Sequence, residues 1–264
     1  MRSILMTAAG VALAAGLACA PKVQTRPAGA GTPAPNAPAA WGEAIAPCNG
    51  IDTDSPTLEI AGGRIDGDRV PGLNVLGALT VRNEVRLHGN YRGQTVFTLS
   101  GALDRALLEL PPSNGAPREH VVARADEIVA VLIGLRIAPV DLLRVLTGCV
   151  GAGDQAVGEP ARHGSLIAIR TRTAQIYLAQ RSGRWRVAMA DLAGLQVDYR
   201  AHEGDWPSDV VISSAPAATA VVRLRVHQQL INSPDLVPAA FVVTIPSGSR
   251  EITLDDLRRR FGRG

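Results

Sequence analysis

Apolar side chains recur at every second position through much of the chain after Cys48, the spacing that lines one face of a β-strand. Leu58/Ile60, Leu73/Val75/Leu79/Val81, Val85/Leu87, Phe97/Leu99 and Leu108/Leu110 form an early set, with hairpin turns predicted at Asn83-Glu84 and over 90–94. Over 119–149 the period lengthens. Val121, Ala125, Ile128, Leu132 and Leu135 make the stripe of an amphipathic helix that Gly134 should stop. Pro139 then suits a first helical turn, Leu142, Leu143 and Leu146 supply a second stripe, and Gly148 ends it. Alternation resumes at Leu166–Arg170, Ile176/Leu178, Trp185/Val187/Met189, Leu195/Val197/Tyr199, Val210/Ile212, Val222/Leu224/Val226 and Phe241/Val243/Ile245, with turns at Gly183 and Glu203-Gly204-Asp205. Thr253 begins a last short helix, its hydroxyl as cap and Asp256 at the positive end. The predicted fold is α+β: a curved antiparallel sheet of about eleven strands, one face apolar, forming a half-open β-barrel covered by a helical hairpin and a short C-terminal helix.

The start of the chain follows another rule. Arg2, the apolar run to Ala18, and Leu17-Ala18-Cys19 have the grammar of a bacterial lipoprotein signal, after which Cys19 is the lipidated N-terminus. Gly16 stands where that motif usually has a branched aliphatic residue. An ordinary secretory signal cleaved after Ala18 or Ala20, or an uncleaved anchor, are the alternatives. Residues 1–18 are thus read as signal, 19–44 as a flexible Pro/Ala-rich tether and 45–264 as the folded domain; the tract has too few large apolar side chains to offset ordering entropy.

Three cysteines leave Cys48 and Cys149 once Cys19 is lipidated. In an oxidising compartment an even remainder suggests a disulfide, with two buried thiols or a metal pair as the other readings. The net charge of +3, from 27 basic and 24 acidic residues, gives no reason to expect nucleic acid.

Candidate chemistry is sparse. His163-Gly164-Ser165 lacks the setting of a nucleophile elbow, and the histidines at 88, 120, 163, 202 and 227 show no ligand spacing. Asp52/Asp54 and Asp66/Asp68 lack a calcium loop, while the glycines at 151, 153 and 158 follow a helix and precede a strand, the reverse of a phosphate loop. The expectation is a non-enzyme without cofactor or metal.

Three stretches carry a family likeness. Gly77-Ala78-Leu79-Thr80-Val81-Arg82-Asn83-Glu84-Val85-Arg86-Leu87-His88 is similar to the early hairpin of the LolA/LolB-type lipoprotein carriers. Ile133-Gly134-Leu135 through Leu146-Thr147-Gly148-Cys149 resembles the helical segment of their lipid-anchored members. Pro238 to Pro246 with Leu254-Asp255-Asp256-Leu257-Arg258 resembles their closing strand and helix. The resemblance implies a half-barrel that binds lipid or lipoprotein acyl chains, held at the outer membrane and facing the periplasm, with a periplasmic carrier as a partner. It gives Arg82 a cargo contact, although Asn83 replaces the following proline, and makes Val70-Pro71-Gly72-Leu73 a candidate turn for meeting the membrane. The apolar phase of the early strands supplies the expected cavity lining: Val75, Leu79, Leu87, Phe97, Leu99 and Leu108. A structural lipoprotein of the same fold, docking an envelope complex through its surface, is the alternative.

Overall fold

The computed structural model describes residues 21–112, 117–236 and 238–260. Residues 1–18, read above as a signal, and Cys19 lie outside them. In chain order the elements are β1 (Thr32–Pro33), α1 (Ala37–Ile45), β2 (Thr53–Asp54), β3 (Thr57–Ile65), β4 (Asp68–Val70), β5 (Leu73–Thr80), β6 (Glu84–Tyr91), β7 (Gln94–Ala102), β8 (Arg105–Leu110) and β9 (Glu119–Ala123). There follow α2 (Ala125–Ile133), α3 (Pro139–Thr147), β10 (Ala161–His163), β11 (Leu166–Arg170), β12 (Ala174–Arg181), β13 (Arg184–Leu192), β14 (Leu195–Glu203), β15 (Trp206–Ser214), β16 (Ala220–Gln228), β17 (Arg250–Glu251) and α4 (Leu254–Arg260).

One curved sheet runs β1-β10-β11-β12-β13-β14-β15-β16-β3-β5-β6-β7-β8-β9-β17, with β4 folded back on the end of β3 and β2 beside the end of β5. Every pairing is antiparallel except β17 on β9, and the two ends of the sheet do not meet. The hairpins use the turns that suit strand twist: Arg92-Gly93 and Ser182-Gly183 both have positive φ at each central residue.

The concave face holds one continuous core, from Leu58, Leu79, Leu99 and Leu108 to Ile176, Val197, Tyr199 and Val222. α1, α2, α3 and α4 cover it, contributing Ala37 and Ala40, Ile128 and Val131, Leu143 and Leu146, and Leu257. Gly134 ends α2 at φ 73°, and a Cβ there would stand 2.6 Å from Ile65. Helix and sheet therefore meet through a residue without a side chain. Gly148 ends α3 in the same left-handed conformation, and Thr253 and Asp256 cap α4 reciprocally. Cys48 and Cys149 form a disulfide that ties the turn after α1 to the end of α3, with Cα atoms 5.6 Å apart.

Four expectations need correction. The described residues form seventeen strands, not about eleven; the additions are mainly the two- and three-residue β1, β2, β4, β10 and β17, too short to show a period. Residues 119–123 pair with β8, so α2 starts only at Ala125. Phe241/Val243/Ile245 is no strand: residues 238–241 form a 3-10 turn, and Pro238 and Pro246 bring no backbone N–H to a ladder. The fourth concerns the tether. Gln24 and Arg26 bond to Asp198 and Asp191, β1 pairs with β10, and Ala34, Ala37 and Ala40 are buried. Small side chains let this segment lie close to the sheet, so the body extends back to Gln24 rather than starting at residue 45.

Both ends of the chain follow one plan. Asp191 and Asp198 share the strand phase of the convex-face cluster Ala168, Tyr177 and Met189, so residues 24–30 cross the outside of β12 to β14. The chain then passes the β10 edge through β1 and places α1 inside. At the other end, Arg86 on the outer phase of β6 donates to the Ala240 carbonyl, after which β17 covers the β9 edge and α4 packs inside.

Candidate functional site

An apolar cavity of about 280 Å³ opens where α2 leaves the concave face incompletely covered. Ile60 of β3 and Leu73 of β5 form one wall, Val96 and Phe97 of β7 the opposite wall, and Leu132 and Ile133 of α2 the roof. The turn Val70-Pro71-Gly72 rims it, and Tyr91, 43% exposed, stands at its mouth. No charged side chain lines it. Such a site offers dispersion and desolvation but no polar anchor, which suits a hydrocarbon chain better than a polar metabolite.

A larger cleft of about 400 Å³ lies on the convex side between residues 27–30 and β10 to β12. Glu159, His163, Arg170 and Gln175 line it, so it gives no comparable apolar surface.

The residues expected to line a cavity separate into two groups. Phe97 reaches the pocket. Val75, Leu79, Leu87, Leu99 and Leu108 lie in the filled core, Leu79, Leu99 and Leu108 with no exposed surface. The phase of the early strands was read correctly as inward, but the helices occupy most of the space it faces. Arg82 sits in the β5–β6 turn, its side chain 74% exposed and 3.6 Å from Glu84. Leu73 is at the other end of the eight-residue β5, about 25 Å away along the strand, so Arg82 is remote from the pocket. The Val70 to Leu73 turn, in contrast, is the pocket's rim. Tyr91, Val96 and Ile133 were not expected to line it. The only local signal for them was an aromatic residue inside an otherwise polar turn.

Buried polar groups cluster elsewhere. Asp54 is fully buried, accepts from Gln229 at 3.3 Å, and burial pushes its carboxyl up to about 7. Burial, assisted by the positive charge of Arg186 and Arg181, lowers the His202 imidazole to about 4. The Tyr199 phenol is buried with its hydroxyl unpartnered and titrates well above its ordinary range. Among the described residues no group of three or more His, Cys, Asp or Glu side chains is placed to hold a metal ion, and no helix is long and apolar enough to cross a membrane.

No protein-family model and no curated protein matches this chain. Among solved structures, it is similar to a LolA superfamily protein from Nitrosomonas europaea, with a TM-score of 0.49 and 9% identity over 74% of this chain and 91% of that one. A likeness so distant says nothing of residues or activity.

Proposed function

We propose that this is an envelope lipoprotein, anchored through Cys19 and facing the periplasm, that holds one acyl chain of a lipid or lipoprotein in the pocket beneath α2. The observation that carries the reading is the pocket's composition: aliphatic and aromatic walls, no charge, and an opening rimmed by Pro71, Gly72 and Tyr91. Each buried methylene contributes about 0.8 kcal/mol, so a chain needs no polar partner to be held. At about 280 Å³ the cavity falls below the usual range for drug-sized ligands, which favours a single chain over a multiply acylated group.

Native mass spectrometry of protein purified without detergent, with extraction of bound lipid, tests the reading. A copurifying acyl lipid, lost when Leu132→Trp or Val96→Trp fills the cavity, is the expected result. A ligand-free mass and no uptake of added fatty acid would remove it.

A second reading is favoured by how fully four helices fill the concave face. In it the body is a structural lipoprotein that docks an envelope complex by its outer surface. An empty, lipid-refractory pocket is the outcome it predicts.

A further inference from the structure

The N-terminal strap leaves the body at a particular corner. The Lys22 carbonyl accepts from Arg200 on the convex side of β14, and Lys22 is exposed. Three arginines stand on the two preceding strands of the sheet. Arg181 of β12 spends its guanidinium on two backbone carbonyls, those of Tyr199 and Arg200, at 3.0 and 2.7 Å. Arg184 and Arg186 of β13 share the Asp205 carboxylate at 2.6 and 3.2 Å, and Arg184 also stands 3.9 Å from Glu43. With the exposed Glu203 of the neighbouring turn included, Lys22 and four arginines face three carboxylates, while further along the strap Arg26 is set against both Asp191 and Asp198. Neither Arg181 nor Arg200 has an acidic partner among these contacts. The His202 imidazole nearby is lowered first by burial and then by the charge of Arg186 and Arg181.

Cys19 lies three residues before Lys22. Even fully extended, three residues reach only about 10 Å. We infer that Lys22 and Arg184, which are exposed, backed by the half-buried Arg181, Arg186 and Arg200, form a contact surface for the anionic phospholipid headgroups of the bilayer that holds the anchor. The inference rests on the lipid-anchored reading of Cys19. Because the strap is docked from Gln24 onward, an anchor at Cys19 is tied within that reach of Lys22 rather than to a free leash of some 25 residues. A cation near an anionic surface and a lipid chain reinforce each other, and the pair fixes which corner of the half-barrel faces the membrane.

The test uses the mature chain, its Cys19 lipidation checked by intact mass, in vesicles containing a dansyl lipid. Trp185 and Trp206, next to Arg184 and Asp205, are donors at this corner. Vesicles of phosphatidylcholine alone are compared with vesicles that also contain phosphatidylglycerol. Transfer is expected to be about twofold higher with the anionic lipid at low salt and to fall back at high salt. Lys22→Glu with Arg184→Glu should abolish the difference, whereas Arg69→Glu with Arg105→Glu, the same charge change on the other limb of the sheet, should leave it. Equal transfer in both vesicles from a lipidated protein, or an equal loss in both variants, overturns the headgroup contact and leaves the anchor standing. A chain without lipid on Cys19 overturns both together.

Discussion

Arg26 Nη1 donates to Asp198 at 2.5 Å while its Nε donates to Asp191 at 2.7 Å, and the Asp198 side chain is 1% exposed. The pair joins residues 172 positions apart. Breaking a buried ion pair leaves an uncompensated charge, which costs about 3–5 kcal/mol.

Arg26→Ala should therefore destabilise the body by a few kcal/mol in chemical denaturation, and Asp198→Asn added to it should restore part of the loss. Hydrogen exchange should show residues 22–33 freed in the single variant while β12 to β14 stay protected. An unchanged midpoint would mean that the strap does not hold the convex face.

The disulfide makes a second prediction. Cys48 and Cys149 are 101 residues apart, and closing a loop of that size is worth about 4.7 kcal/mol on chain entropy. Cys48→Ser with Cys149→Ser should lower the denaturation midpoint by a corresponding amount, and reductant should do the same to the wild type but not to the variant. Calorimetry with and without reductant checks both.

Asp54 and His202 act in opposite directions on pH dependence. The Asp54 carboxyl is raised from 3.8 to about 7, so the folded state binds the extra proton and stability falls as pH rises between those values. The His202 imidazole is lowered from 6.5 to about 4, so the unfolded state binds the extra proton and stability rises over an overlapping range. The wild-type curve should be shallow between pH 4 and 6.5. Asp54→Asn should leave a rising curve and His202→Gln a falling one, each steepening by at most about 1.4 kcal/mol per pH unit. Urea unfolding across this range reads both slopes.

Gly134→Ala combines a left-handed backbone with a near contact to Ile65, and both oppose the new methyl group. A loss of about 2 kcal/mol is expected, measured by denaturation. Measured against an Ile65→Ala background, the cost of Gly134→Ala should shrink to its backbone part.

Much of this architecture is legible in the sequence where the cause is local. Period-two runs marked the long strands, Gly134 and Gly148 marked the helix ends, and Thr253 with Asp256 marked the last cap. The cysteine count pointed to the right pair. What stayed hidden depends on distant partners. The strap looks like a tether because its composition is Pro, Ala and Gly, and the acids that hold Arg26 stand more than 160 residues later. The pocket was hidden for a different reason. Alternation shows which face of a strand is apolar, but not which part of that face the helices leave uncovered, so Phe97 and Leu99 share a phase and differ in role.

An open sheet carries two rows of unpaired amides and carbonyls, each able to recruit a strand from another molecule. Here β1 and β17 lie along those rows, and each is held there by a helix that the same end of the chain tucks inside. The termini thus protect a half-barrel from joining others edge to edge without closing it. Chains trimmed to begin after Pro33, or to stop before Arg250, should self-associate at concentrations where the intact protein stays monomeric.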